Sequence, residues 1–491
     1  MNVRTRFAPS PTGYLHIGSL RTVLYNYLYA KKNNGKFLLR IEDTDRTRLV
    51  DGSVENMLDV LASVGIIPDE GPNNPGNSGP YFQSERLEIY KKYAKKLIED
   101  NKAYYCFCDK KRLDDLRNEQ TELKLPTKYD QKCRFLSEDE IENNLKNNIP
   151  YTIRLKVQKN KKIVFFDTVK GKIEVDSKDI DDQVLMKTDG YPTYHLANVV
   201  DDYLMNITDV IRGDEWIPST PKHIIIYEAF GWKVPNFTHL PLLLDKNKKK
   251  LSKRTGDVSV ESYLEKGYLT EAIINYIALL GWNPKTTEEF FSIEELINRF
   301  EIKNVNKSGA VFDIERLGFF SSKYINGIEI DILFGKLKSY LEKYDKPLLE
   351  IIEKYDEDYN KKILSEIKSR MEKLSDYKEL TTFFYSERKE IDKDLIINPK
   401  MKIDSLDMVK NGLILTLDIL NNSDIDINNP ENIKNIFIER IKLANMKNGQ
   451  VLWPVRVALS GEQFSPGALE LLYILGKEKS IERIEKCLKE L

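Results

Sequence analysis

One string near the N-terminus constrains the fold more than any other: Arg6-Phe7-Ala8-Pro9-Ser10-Pro11-Thr12-Gly13-Tyr14-Leu15-His16-Ile17-Gly18-Ser19. Two prolines and a glycine break the backbone after a short strand, and the apolar run from Leu20 to Tyr29 then continues with helical spacing. A strand, a loop and a helix start are therefore predicted. Such a helix start exposes unpaired N–H groups and the positive end of the helix dipole, which together attract phosphate. Gly18 lacks the Cβ that would keep a flat ring off the backbone, and His16 and Ser10 add hydrogen-bond donors beside it. The chemistry indicated is nucleotide binding.

A chain of 491 residues is long enough for roughly three domains at about 150 residues each. Lys plus Arg, 76, nearly cancels Asp plus Glu, 77, so nucleic acid would have to meet local basic clusters rather than a global field. Met1-Asn2-Val3-Arg4 runs straight into the first strand without the apolar core of a signal peptide. No stretch approaches the ~18 consecutive apolar residues of a membrane span, so a cytoplasmic protein without membrane contact is expected. Of the four cysteines, Cys106, Cys108 and Cys133 lie close together, which in a reducing compartment points to metal before disulfide. Three packed thiols in a small domain are the alternative.

Phe37 to Ile41 reads as a strand that ends in Glu42-Asp43-Thr44-Asp45. Ligands of open α/β sheets bind at the carboxyl ends of strands, so Glu42 should face the crevice of His16, although Asp and Thr also suit helix caps. A helix over Met57, Leu58, Leu61 and Val64 should close at Gly65, followed by a surface loop from Pro68 to Pro80 and a helix from Gln83 to Asn101. Tyr151 to Phe166 alternates as an antiparallel pair of strands would. Ile207 to Trp216 supplies another strand, with Arg212 toward its carboxyl end.

Lys246 to Arg254 holds six basic residues in nine and by composition is a mobile cationic loop. From Ser259 onward the pattern is almost wholly helical, with a capping box at Ser292 and Glu295. Residues 331 to 491 repeat amphipathic helices, and Ile481, Ile484, Cys487, Leu488 and Leu491 form one stripe that makes Cys487 core packing.

The string Pro9-Ser10-Pro11-Thr12-Gly13-Tyr14-Leu15-His16-Ile17-Gly18-Ser19 resembles the first signature of the class I aminoacyl-tRNA synthetases, in particular the glutamyl-tRNA synthetases. Ser19 replaces the second histidine of the general pattern, as is common in the glutamyl branch. Pro192 to Asp202 is similar to the glutamyl and glutaminyl enzymes, and Lys250-Leu251-Ser252-Lys253-Arg254 resembles the second class I signature, in the expected order. Leu452 to Gly461 resembles the C-terminal part of the bacterial glutamyl type, whose anticodon-binding region is helical.

This resemblance implies an α/β chain. A Rossmann-like class I catalytic domain (1–105 and 191–245) would carry an inserted acceptor-end-binding domain (106–190). A signature loop and stem-contact helices (246–330) and an all-α anticodon-binding region (331–491) would follow. It implies a monomer that ligates L-glutamate to tRNA(Glu) through a glutamyl-adenylate, with Mg2+ accompanying ATP. His16, Lys250 and Lys253 would be catalytic and would bind ATP together with Gly18. Arg6, Ser10, Glu42, Tyr194, Asn198 and Arg212 would bind glutamate, Glu42 facing its ammonium group.

The physical case for the arginines is that a desolvated carboxylate must be paired, and a guanidinium fork does this bidentately. A neutral glutamine would leave those charges unpaired. A local ion pair of Arg212 with Asp214 or Glu215 is the alternative. Relatives with zinc complete Cys-x-Cys and a later cysteine with histidine or tyrosine. Here Phe135 cannot coordinate, whereas Tyr129 can, so one structural zinc on Cys106, Cys108, Cys133 and Tyr129 is expected.

Overall fold

The computed structural model describes residues 2–251 and 258–491. The described residues form two compact units, one of residues 1–263 with 270–314 and the other of residues 264–269 with 315–491.

The first unit opens with β1 (Arg4–Phe7), α1 (Ile17–Lys32) and β2 (Lys36–Leu39), in which β1 and β2 pair in parallel. Leu20, Val23, Leu24 and Leu28 of α1 are fully buried, and the helix packs across β1 and β2. α2 (Ser53–Ser63) and α3 (Leu87–Glu99) follow, the latter preceded by a short 3-10 turn, Gln83–Arg86. Gly65 beyond α2 has φ +74, the left-handed conformation that glycine adopts without strain and that stops a helix. The Pro68–Pro80 stretch is irregular, yet Glu70 within it is buried, bonded by Arg4 at 2.9 Å and Tyr81 at 3.0 Å.

β3 (Ala103–Cys106), α4 (Lys110–Glu122), α5 (Glu138–Lys146), β4 (Thr152–Leu155), β5 (Lys162–Asp167), β6 (Gly171–Asp176) and β7 (Val184–Met186) make the middle of this unit. Here the expected strand pairing is corrected. β4 and β5 are both strands, but they do not pair with each other: β4 lies antiparallel between β3 and β7, and β5 forms a hairpin with β6. β5 alternates between exposed and buried residues, so one face can solvate while Ile163 and Phe165 enter the core; Ile153 and Leu155 of β4 are buried on a different sheet.

α6 (Tyr194–Leu204), β8 (Asp209–Gly213), α7 (Thr220–Ala229) and β9 (Asn236–Leu240) complete the site-bearing part. β8 pairs with β9 in parallel, and β9 meets the end of β5 through Asp167 and Phe237. The Thr208 N–H donates to the Arg4 carbonyl at 3.0 Å, which brings β8 alongside β1. The carboxyl ends of β1, β2 and β8 thus converge although β1 and β8 are some 200 positions apart.

β10 (Leu243–Leu244) pairs in parallel with β11 (Ala310–Val311), and between them lie α8 (Val260–Glu265), α9 (Thr270–Leu279) and α10 (Ile293–Arg299). The capping box is formed: the Ser292 hydroxyl accepts from the Glu295 N–H at 3.2 Å, and Glu295 accepts from the Ser292 N–H at 2.8 Å. The second unit is helical throughout. Its longer helices are Ile330–Tyr344, Leu406–Asn422, Pro430–Leu443, Asn448–Ser460 and Ala468–Glu490, the last broken at Gly476. Cys487 and Ile484 are fully buried there, as the stripe requires.

Candidate active site

A cavity of about 760 Å³ opens at the converging strand ends. Arg6, Ser10, His16, Gly18, Glu42, Tyr194, Asn198, Arg212 and Lys250 all border it, so every expected substrate-binding residue within the described chain faces one space. Lys253 lies outside the described residues.

His16 caps α1, its Nδ1 accepting the Gly18 N–H at 2.9 Å. That bond leaves the ring proton on Nε2 in the neutral imidazole. A Cβ at Gly18 would stand 3.2 Å from His16 Nδ1, so glycine is what lets the ring turn back over the helix start. The Ile17 N–H donates to the Val258 carbonyl at 2.7 Å. Two of the amides that a bare helix start would offer to phosphate are therefore already used within the protein.

Glu42 and its neighbours divide their roles. Asp43 caps the Ser84 turn, accepting from its N–H at 2.8 Å, and Asp45 accepts from Thr47, as short polar residues at such positions tend to. Glu42 is the buried carboxylate of the group that lines the cavity, with Thr44 and the more exposed Asp45 also at its wall. Glu42 is held by Arg40, whose Nη2 donates to it at 3.2 Å and whose Nη1 donates to Asp202 at 2.7 Å. Asp202 also receives Arg6 Nε at 3.0 Å, and Arg40 is fully buried. Burial pushes the Glu42 carboxyl up from its usual range, with Arg40 opposing. Burial would do the same to Asp202, but Arg6 and Arg40 outweigh it and hold that carboxyl low. The Asn198 amide completes the group 3.5 Å from Glu42.

Arg212 sits differently. Its Nη1 donates to the Tyr194 hydroxyl at 3.0 Å and to His223 Nδ1 at 3.3 Å, its Nη2 to Thr220 Oγ1 at 2.8 Å, and its Nε to His239 Nε2 at 3.1 Å. Every one of these partners is neutral. The local ion pair with Asp214 or Glu215 is not made: the bonds of Arg212 go elsewhere, and Asp214 bonds Lys170 at 3.0 Å. Burial lowers the pKa of His223 and of His239, which keeps both rings uncharged. His195 follows as the next ring, 3.2 Å from His223, with burial holding it at about 4.

The stretch from Leu243 to Leu251 is a tight hairpin where composition suggested a free loop. Asp245 Oδ1 accepts the Asn247 and Lys249 N–H groups, both at 2.8 Å, and Leu251 N–H returns to the Leu243 carbonyl at 2.9 Å. Lys250 is carried to the cavity rim by this turn. Ser252 to Asp257 lie outside the described residues.

Cys106, Cys108 and Cys133 gather within 4.8 Å of one another. The Tyr129 hydroxyl lies 3.4 Å from both Cys106 and Cys108 sulfurs, and Cys108 and Cys133 sulfurs are 3.5 Å apart. Zn–S bonds of about 2.3 Å in a tetrahedron separate sulfurs by just under 4 Å, so the donor set fits a zinc ion. Phe135 is exposed and turned away.

Sequence reasoning missed Arg40, Asp202, His223, Thr220 and His239. Arg40 and Glu42 stand two apart in the extended chain just beyond β2, a spacing that puts their side chains on one side and is the one local signal that could have joined them.

Residues 2–319 match the catalytic domain of the tRNA synthetases class I (E and Q), and residues 333–488 match an anticodon binding domain. A glutamate–tRNA ligase of Clostridium tetani is 48% identical over 489 residues, covering 98% of this chain and 96% of that protein. One from Clostridium botulinum Eklund 17B is 47% identical over 99% of this chain and 98% of its own. The crystal structure of a glutamate tRNA ligase from Elizabethkingia meningosepticum in complex with its amino acid superposes with a TM-score of 0.91 at 36% identity, covering 100% of this chain and 99% of the other. This chain belongs to the class I tRNA synthetases, in the family of the glutamate–tRNA ligases.

Proposed function

We propose that this chain joins L-glutamate to tRNA(Glu) in two steps. The α-carboxylate of glutamate attacks the α-phosphorus of ATP, forming glutamyl-adenylate and releasing pyrophosphate. A terminal ribose hydroxyl of the tRNA then takes the glutamyl group and AMP leaves. The observation that carries this reading is the pairing, across one cavity, of a buried carboxylate (Glu42) with two arginines (Arg6 and Arg212) and the His16 helix start.

Glu42 receives the substrate ammonium, with Ser10 and Asn198 beside it. Arg6, Arg212 and the Tyr194 hydroxyl receive the side-chain carboxylate. Tyr194 accepts from Arg212, which leaves its own hydrogen to donate to substrate. His16 and Gly18 hold the ATP at α1, while Lys250 and Lys253 offset charge developing on the leaving pyrophosphate. Mg2+ accompanying ATP would add to that charge neutralisation when bound. No side chain needs to form a covalent bond, so the protein contributes positioning and electrostatics.

The middle of the first unit meets the tRNA acceptor end, with zinc on Cys106, Cys108, Cys133 and Tyr129 as a structural staple. Residues 246–330 contact the tRNA stem and residues 331–491 read the anticodon. The protein acts as a cytoplasmic monomer; among the described residues no helix is long and apolar enough to cross a membrane.

The deciding experiment is ATP–pyrophosphate exchange with glutamate or glutamine, with and without tRNA(Glu). Exchange with glutamate and not glutamine supports the reading. A folded, tRNA-binding protein that supports no exchange under any of these conditions would refute it and leave a non-catalytic tRNA-binding protein.

A further inference from the structure

Arg212 is a buried cation whose bonds all end on neutral atoms. Its counter-charge is reached at one remove. Asp167, the last residue of β5, is buried and accepts from four donors. Its Oδ1 takes the N–H groups of Val169 at 2.9 Å and Lys170 at 2.7 Å; its Oδ2 takes the His239 main-chain N–H at 2.9 Å and His239 Nδ1 at 2.7 Å.

The proton positions along this chain are dictated. An arginine N–H can only donate, so the nitrogen that faces Arg212 Nε, His239 Nε2, must be bare. The imidazole proton is therefore on Nδ1, against Asp167. The Thr220 hydroxyl, 3.1 Å from the same Nε2, accepts from Arg212 and can turn its hydrogen to that nitrogen or to the Trp216 carbonyl. A carboxylate next to an imidazole is what selects between its two neutral tautomers. The other tautomer would aim a hydrogen at Arg212 Nε.

We propose that Asp167 is a positioning residue for amino-acid selection: by holding His239 with its proton on Nδ1, it fixes the Arg212 guanidinium so that its one remaining Nη2 hydrogen, beside the Tyr194 hydroxyl, meets the side-chain carboxylate of the substrate. This rests on the reading of Arg212 given under Proposed function, and it adds a determinant outside the cavity wall. Asparagine cannot replace Asp167 quietly. Its NH2 group would have to face one of two pairs of donors, and facing His239 it inverts the tautomer.

The test uses the full chain. There are only four histidines, so 15N-histidine labelling resolves the tautomers, with His239 assigned through His239→Gln. His239 should carry its proton on Nδ1 across about pH 6–8, and Asp167→Asn should move it to Nε2. In exchange assays with tRNA(Glu), Asp167→Asn and His239→Phe should raise the glutamate KM about ten-fold or more while kcat at saturation stays within about three-fold, and should narrow the preference over glutamine. His239→Gln should keep KM within about three-fold, because its amide can donate to Asp167 and accept from Arg212. If Asp167→Asn does not fold, the two His239 variants decide.

A proton on Nε2 in the unaltered protein, or a glutamine variant as impaired as the phenylalanine one, overturns the inference. Failure of the underlying reading shows separately: Arg212→Gln would then leave the glutamate KM unchanged while the His239 tautomer stays as described.

Discussion

Arg6 and Asp202, 196 positions apart, meet through Nε and Oδ1 at 3.0 Å with both side chains almost wholly buried. Asp202 serves Arg40 as well, so removing it takes the buried carboxylate from Arg6 and leaves Arg40 with Glu42 at 3.2 Å and Asp201 at 3.7 Å. Asp202→Ala should lower the unfolding free energy by about 3–5 kcal/mol in urea titration, the cost typical of breaking a buried pair from one side. Lys91→Ala, which removes an exposed pair with Glu88, should leave the midpoint where it was.

Acid should weaken the protein through Glu70. Burial alone would raise this carboxyl, but bonds from Arg4, Lys36 and Tyr81 outweigh it and hold the group at about 2. A folded pKa below the unfolded one contributes stability that is complete above about pH 4.5 and is lost as pH falls toward 2. The gap in urea midpoint between the unaltered protein and Glu70→Gln should therefore be wide at pH 6 and close across that window.

Alanine for a helical glycine usually adds stability, but at Gly412 the sign should reverse. A Cβ there would stand 2.6 Å from the Gln450 carbonyl, where two helices of the second unit cross. Backbone cannot yield as a side-chain tip can, so Gly412→Ala should destabilise by about 1–3 kcal/mol, read from thermal or urea unfolding.

Zinc can be counted directly. The purified chain should carry one equivalent by atomic emission, and Cys133→Ser should abolish it. Stripping the metal should lower the thermal midpoint while ATP–pyrophosphate exchange is affected less than charging of tRNA. Absence of metal from freshly prepared protein would leave three packed thiols.

The signature lysines should act on chemistry rather than on amino-acid affinity. Lys253→Ala and Lys250→Ala should each slow adenylate formation by about 100-fold or more with glutamate KM nearly unchanged. Tyr194→Phe should do the opposite, raising that KM while sparing kcat.

Much of the cavity wall was legible because its residues sit in continuous strings: Arg6 to Ser19, Glu42 after its strand, Tyr194 and Asn198 on one helix. What stayed hidden depends on strands that meet only in space. The split of Tyr151–Phe166 between two sheets is set by partners at Ala103–Cys106 and Gly171–Asp176, which alternation within the segment cannot reveal. His239 reads locally as a buried strand histidine, and Asp167 as a turn residue, which it also is. Their joint bearing on Arg212 needs the register of β5, β8 and β9. The Lys246–Lys249 run looked like free cationic loop because composition does not register a single aspartate closing a turn around itself.

The adjacency of β1 to β8 also bears on how the chain is made. A ribosome releases Arg6 and Arg40 long before Asp202, and until that residue emerges neither guanidinium has the carboxylate that it shares with the other in the finished fold. A nascent chain stopped after α3 therefore has Glu42 for Arg40 but cannot close its core over Arg6 without stranding charge. One edge of the first strand can pair early with β2, but its other edge has to wait for a partner synthesised some 200 residues later, so this half of the molecule completes its fold only after the polypeptide has passed Thr208.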